Sequence, residues 1–476
     1  MLFNSFHFLF FFIIVTALYF TIPYKKRWLL LLISSCYFYM AFVPIYILIL
    51  GFTIVIDYFA GILIENAKES QRKLFLIVSL TANIGVLAVF KYFNFLNHNF
   101  SFLMHGFGLT NPIPYLSILL PIGLSFHTFQ AMSYTIEVYR GNQKAERHFG
   151  IYSLYVMFFP QLVAGPIERP QNLLHQFREK YDFEYDRVVD GLKLMLWGLF
   201  KKLVIADRLA IYVNAVYNNP EQHNGKTFIL ATIFFAIQIY CDFSGYSDIA
   251  IGAAKVMGFK LMTNFNRPYL ARNISEFWKR WHISLSTWFK DYLYISLGGN
   301  RVSIPRWYFN LLLVFIISGL WHGANWTYII WGALNGFYLV FAIVSQGYRD
   351  KLNQLTGLKN SPVFYHLSQI LITFFLSCFA WIFFRANNVT DAFNIIKKIS
   401  TFGGSIFIDN LSMMIYSFFG IFILLFVELK LEYYKGEFSF LSHKSWIVRN
   451  LSYATLIIII LLFGVFDGGQ FIYFQF

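Results

Sequence analysis

Charge is scarce in this chain. Asp, Glu, Lys and Arg make up 13% of its 476 residues, whereas 58% are hydrophobic, and so few polar side chains cannot cover a water-soluble globule of this size. Cysteine is scarce as well: Cys36, Cys241 and Cys378 are scattered through apolar segments without the spacing of a metal or redox motif. A Gly-rich phosphate loop, a Cys/His metal set, a GxSxG elbow and a dinucleotide fingerprint are all missing. A hydrolase, an ATPase or a redox enzyme therefore lacks support. Met1 is followed by neither a basic n-region nor a small-residue cleavage site, so the first apolar run is expected to be a retained span.

What the chain does have is apolar length. Runs bounded by charge or Pro/Gly suggest spans near 3–22, 28–64 (two, split around Pro44), 74–93, 115–137, 188–217, 227–257, 307–321, 325–346, 365–384, 409–428 and 449–466. The expected fold is all-α: a polytopic membrane protein of about 11–13 crossings in a single embedded domain, residues 1–476. Aromatics at 21% exceed the need of two interfacial belts and imply rings in the helix contacts. Net charge is +14, in clusters such as Lys25-Lys26-Arg27 and Lys397-Lys398 at the ends of apolar runs. This resembles the positive-inside signal, argues against a nucleic-acid role, and places the N-terminus outside with the first loop in the cytoplasm.

Two segments do not fit simple spans. Phe158 to Pro170 holds three prolines in an apolar setting, and backbone so broken is tolerated at membrane depth only when covered by protein or lining a wet cavity. A re-entrant or interfacial loop is expected there. Phe265 to Asn300 mixes Lys and Arg with many aromatics and is too charged to cross lipid alone. Asn273 and Glu276 in it resemble a capping box, so a helix should start there. Phe277, Trp281, Leu285, Trp288 and Tyr292 then form an aromatic stripe on one amphipathic helix, with His282 at its wet edge.

The residues able to carry chemistry begin with His322, in Gly319-Leu320-Trp321-His322-Gly323, flanked by long apolar runs. An ionisable group at membrane depth is costly and marks a functional site by default, and imidazole can take a proton from a hydroxyl. A structural histidine bonded to a neighbouring helix is the alternative, and it weighs more for His282. Gly319 and Gly323 would let another backbone or a substrate approach closely. Asp242, within Tyr240-Cys241-Asp242-Phe243-Ser244-Gly245, could orient a histidine, hold a polar substrate, or cap a helix broken at Gly245. His127, Gln130, Tyr134 and Glu137 share one helical face, where internal packing is the expected role. No metal site is expected.

Trp278-Lys279-Arg280-Trp281-His282-Ile283-Ser284-Leu285-Ser286 and Gly319 to Gly323 resemble the two signature histidine motifs of the membrane-bound O-acyltransferases (MBOAT). Phe159 to Ile167, Tyr240 to Ala250, Asn264 to Tyr269 and the terminal Phe471 to Phe476 resemble its bacterial alginate O-acetyltransferase (AlgI) branch. The resemblance implies an MBOAT-type bundle with re-entrant and interfacial helices around a central cavity. His322 would be the catalytic histidine and His282 the supporting one. It further implies acetyl-CoA as donor substrate with no bound cofactor, a bacterial inner-membrane location, and a periplasmic partner of SGNH or AlgJ/AlgX type. The final acceptor would be an exported polysaccharide such as alginate. Peptidoglycan O-acetylation and D-alanyl transfer to teichoic acid are alternatives within the family.

A thioester is already activated, so the remaining tasks are removal of the hydroxyl proton and stabilisation of the oxyanion. His322 is expected as general base, with His282 or the indole N–H of Trp278 or Trp321 as donors. An acyl-histidine intermediate stays open. Trp278, Trp321, Asp242, Ser286, Lys279 and Arg280 are the expected substrate-binding residues, the last two with Lys290 as a basic patch for anionic CoA or anionic lipid. From another class, a proton-coupled transporter or flippase would also use intramembrane histidines, although no internal repeat or matched pair of interrupted helices supports it.

Overall fold

Apolar runs of this length leave their backbone polar groups no partner in lipid except one another, which selects helices. The computed structural model describes residues 1–117, 120–357, 360–434 and 440–466, and among these there is no strand. The terminal block Phe471 to Phe476 lies outside the described residues. The chain forms two compact units: residues 1–195 with 246–262, and residues 196–245 with 263–476.

The first unit contains α1 (Phe6–Thr21), α2 (Tyr24–Met40), α3 (Tyr46–Asn66), α4 (Glu69–Leu87), α5 (Phe93–Gly106), α6 (Leu124–Tyr139), α7 (Phe149–Met157), the one-turn α8 (Pro170–Leu173) and most of α9 (Tyr185–Leu199). A π-helical turn joins α4 to α5 in one continuous rod. The polar face of α6 packs internally. Gln130 Nε2 donates to the Tyr155 carbonyl, the Glu146 N–H donates to Tyr134 Oη, and Glu137 Oε2 accepts from Asn142 and Gln171. Residues 158–168 have no helix and are buried throughout, so this proline-broken backbone is covered by protein as the lipid environment demands.

The second unit begins at Leu196 in the last turn of α9, which passes through a π-helical stretch, Phe200–Ala206, into α10 (Asp207–Tyr217). It continues with α11 (Gly225–Met257, whose last residues from Tyr246 belong to the first unit), α12 (Ile274–Arg280), α13 (Ile283–Trp288), α14 (Ile304–His322) and α15 (Trp326–Val344). The remaining helices are α16 (Gln346–Leu355), α17 (Pro362–Arg385), α18 (Val389–Thr401), α19 (Leu411–Tyr433) and α20 (Trp446–Phe463). The tightest pair is α14 with α15. A methyl group added at Gly319 would strike the Tyr328 carbonyl, and one at Gly332 would strike the Phe315 carbonyl, so glycine lets the two backbones touch as small residues do in membrane helix pairs.

Among the described residues eight helices are long and apolar enough to cross a membrane, fewer than the eleven to thirteen expected. The difference lies in α1, α2 and α6, which have 16, 17 and 16 residues, and in the charged α9–α10 segment. The chain is thus a multi-pass, all-helical membrane protein. Two local expectations are corrected. Helix α11 runs unbroken through Gly245, so Asp242 caps nothing there. The stripe helix is two helices, because His282 adopts a left-handed conformation (φ 41°, ψ 56°) between α12 and α13.

Candidate active site

The segment carrying His282 is shaped by capping and by a neighbouring irregular stretch of chain. Asn273 caps α12 by accepting the Glu276 N–H at 2.8 Å, while Glu276 reaches back to the Arg272 N–H at 2.9 Å, close to the expected capping box. The helical ladder stops where Trp281 N–H donates to the Phe277 carbonyl and restarts where Ser286 N–H donates to the His282 carbonyl. Between these points Ile283 N–H turns to the Asn264 carbonyl at 2.9 Å and Ser284 N–H to Asn264 Oδ1 at 3.2 Å. A non-glycine residue with positive φ is strained and persists only where its surroundings over-determine it. Asn264 is the residue that does so.

His282 is 1% exposed, deep in the protein and not at the wet edge that its helical phase implied. Its ring meets Phe243 edge-on at 4.5 Å and Trp321 at 6.2 Å. Nδ1 lies 3.2 Å from Asn264 Oδ1. Burial pushes the imidazole down to about 3, so the ring is neutral throughout the physiological range.

His322 ends α14 and is 4% exposed. Its ring packs against Trp321 (5.0 Å), Trp331 (5.0 Å) and Phe384 (5.3 Å). A single indole, Trp321, therefore touches both histidines. Trp278 also packs on Trp331: its ring lies 5.7 Å away, and its buried Nε1–H has no hydrogen-bond partner among the described residues. The close approach read into the two glycines belongs to the protein itself, α15 backbone at Gly319 and the Tyr328 ring at Gly323.

The other expected substrate residues scatter. Asp242 Oδ1 pairs with Lys202 Nζ at 2.6 Å, and the same ammonium pairs with Asp207 at 2.7 Å, all three buried. Ser286 Oγ donates to the Trp281 carbonyl. Arg280 is engaged by Glu276 (2.6 Å) and Glu432 (2.8 Å), the latter also gripping Arg267 (2.7 Å), whereas Lys279 and Lys290 are exposed. The described residues contain no cluster fit for a metal ion.

Sequence reasoning missed three of these residues. Lys201 and Lys202 are adjacent lysines inside an apolar run, a signal that an embedded charge always offers. Lys201 bonds Ser244 Oγ at 2.9 Å. Asn264 opens the block that runs to Tyr269, and no local signal marks it out from its neighbours. An open cleft of about 470 Å³ lies in the first unit, lined by Glu168, Asn172, His175, Gln176, Glu179 and Lys260 among others. It contains none of the expected site residues.

A family model described as MBOAT, membrane-bound O-acyltransferase family, matches residues 148–387, which include both histidine motifs. The chain is 39% identical over 408 residues to the probable alginate O-acetylase AlgI of Pseudomonas aeruginosa, a match covering 85% of this chain and 75% of that one. It is 36% identical over 408 residues to the peptidoglycan O-acetyltransferase of Helicobacter pylori (80% and 75% covered). With the teichoic acid D-alanyltransferase of Bacillus subtilis it shares 27% over 303 residues (61% and 74% covered). With a family model matched over half of its length and a relative 39% identical over most of it, the chain belongs to the membrane-bound O-acyltransferase family.

Proposed function

We propose that this enzyme takes an acetyl group from cytoplasmic acetyl-CoA and moves it across the bacterial inner membrane for O-acetylation of an exported polysaccharide such as alginate, or another cell-envelope glycan. A periplasmic transferase of SGNH or AlgJ/AlgX type completes delivery, and the N-terminus faces the periplasm. Support for the acyl group and acceptor comes from the names of the relatives. The observation that carries the reaction is the pair His282 and His322, both buried and both against Trp321.

In this reading His322 is the general base. The acceptor hydroxyl oxygen attacks the thioester carbonyl as its proton passes to the His322 imidazole. The tetrahedral oxyanion then collapses, the C–S bond breaks, and the imidazolium returns the proton to the CoA thiolate. Trp278 Nε1–H, buried without a partner among the described residues, supplies a donor for the oxyanion. Exclusion of water from so aromatic a site limits hydrolysis of the thioester.

The test is CoA release by the purified protein given acetyl-CoA and a periplasmic partner or hydroxyl acceptor. His322→Ala is expected to lower the rate about 10²–10⁴-fold, the range for loss of a positioned base. Full activity in that variant overturns the assignment.

A further inference from the structure

Three donors converge on one oxygen beside His282. Asn264 Oδ1 faces the Ser284 N–H at 3.2 Å, the Ser284 hydroxyl at 2.9 Å and His282 Nδ1 at 3.2 Å, and all three residues are buried. A backbone N–H can only donate, so the atom it faces is the amide oxygen and not the amide nitrogen. An oxygen without a proton can only accept, so Nδ1 must carry the hydrogen. In a neutral imidazole the lone pair then resides on Nε2.

We infer that Asn264 is a positioning residue that sets the tautomer and ring direction of His282, making Nε2 a proton acceptor. The same residue fixes the backbone: its carbonyl takes the Ile283 N–H, which holds His282 in its left-handed conformation. One side chain and its own carbonyl thereby over-determine both the strain and the protonation state, as outer partners do for catalytic and metal-bound histidines. The consequence for chemistry is a division of labour. A ring with its only hydrogen tied to Asn264 is no oxyanion donor, so that task falls to an indole N–H. His282 Nε2 can instead accept a hydrogen bond from the attacking hydroxyl or from a protonated neighbour. This role rests on the proposed part of His282 in acyl transfer, whereas the tautomer does not.

The experiment separates the two. Full-length protein with ¹⁵N-labelled histidine is examined by solid-state NMR in lipid, the His282 signals being identified as those lost in His282→Ala. The wild type is expected to show His282 with the proton on Nδ1, and Asn264→Ala to move population to the Nε2–H form. An Nε2–H wild type, or a tautomer unchanged in the variant, overturns the inference. Asn264→Asp, nearly isosteric and a safeguard should Asn264→Ala fold poorly, is expected to raise the acid limb of the rate profile by about one pH unit, because a carboxylate on Nδ1 stabilises the imidazolium. Where His282→Ala is inactive, an unmoved limb also counts against it. If His282→Ala retains full activity while the tautomer is as stated, the catalytic reading fails and the positioning inference stands.

Discussion

Glu168 carries a carboxyl that burial pushes up to about 7, against the opposing pull of the Met262 N–H and the Asn172 amide. In the unfolded chain the same group titrates near 4.5. The folded state therefore holds this proton more tightly. The resulting stabilisation is fully present below pH 4.5 and is lost as pH rises through 7. Glutamine imitates the protonated carboxyl, so Glu168→Gln is expected to lack this pH dependence. Melting of the two proteins in lipid nanodiscs from pH 5 to 8 should show the wild type losing roughly 2–3 kcal/mol relative to the variant, since each tenfold difference in proton affinity between the folded and unfolded chain is worth about 1.4 kcal/mol and part of it is already lost at pH 5. Parallel curves would refute it. At this scale the sequence was legible in part. The motifs singled out both histidines, but the burial of His282 and the Lys202–Asp242 pair did not show, because partners forty residues apart leave no local pattern.

Helix α14 delivers His322 at its last residue, and the α14–α15 contact is what fixes that end. Alanine at Gly319 would place its methyl on the Tyr328 carbonyl, a backbone atom that cannot swing aside. Gly319→Ala is expected to cost about 1–3 kcal/mol, as overpacking does, and to depress activity by moving His322. Gly85→Ala in α4 is the control: nothing lies within 4 Å of its added methyl, and replacing a helical glycine should be neutral or gain up to about 1 kcal/mol. Thermal melts and CoA release on the two variants check both halves. The start of α12 was legible because a cap is a local signal. Its end was not, since an aromatic stripe continues in phase through Tyr292 while the break at His282 is imposed by Asn264 from outside the helix.

For the molecule as a whole, the proposed orientation rests on the distribution of basic residues. Lys25 and Lys26 are exposed in the first turn of α2, and the proposed orientation puts that end of α2 in the cytoplasm, as the positive-inside rule favours. Arg27 is instead packed, its guanidinium donating to the Tyr181 carbonyl at 2.5 Å. The native thiols favour a labelling test, since Cys241 and Cys378 are buried and Cys36 is half-buried. Lys26→Cys is expected to react with a membrane-impermeant maleimide in inverted vesicles and to resist it in intact right-side-out ones. The reverse pattern would invert the proposed topology and move the periplasmic N-terminus to the cytoplasm.

The amino-acid sequence by itself determined the solvent of this protein, its helical class, the approximate ends of most helices and the two histidines, because apolar length, capping and motif spacing are properties of contiguous residues. Only the tertiary structure decided that Asp242 answers Lys202, that the stripe helix breaks at His282, and that Asn264 holds that imidazole by Nδ1. Each of these is settled by a partner distant in the chain. A buried polar group must find such a partner wherever the fold supplies one.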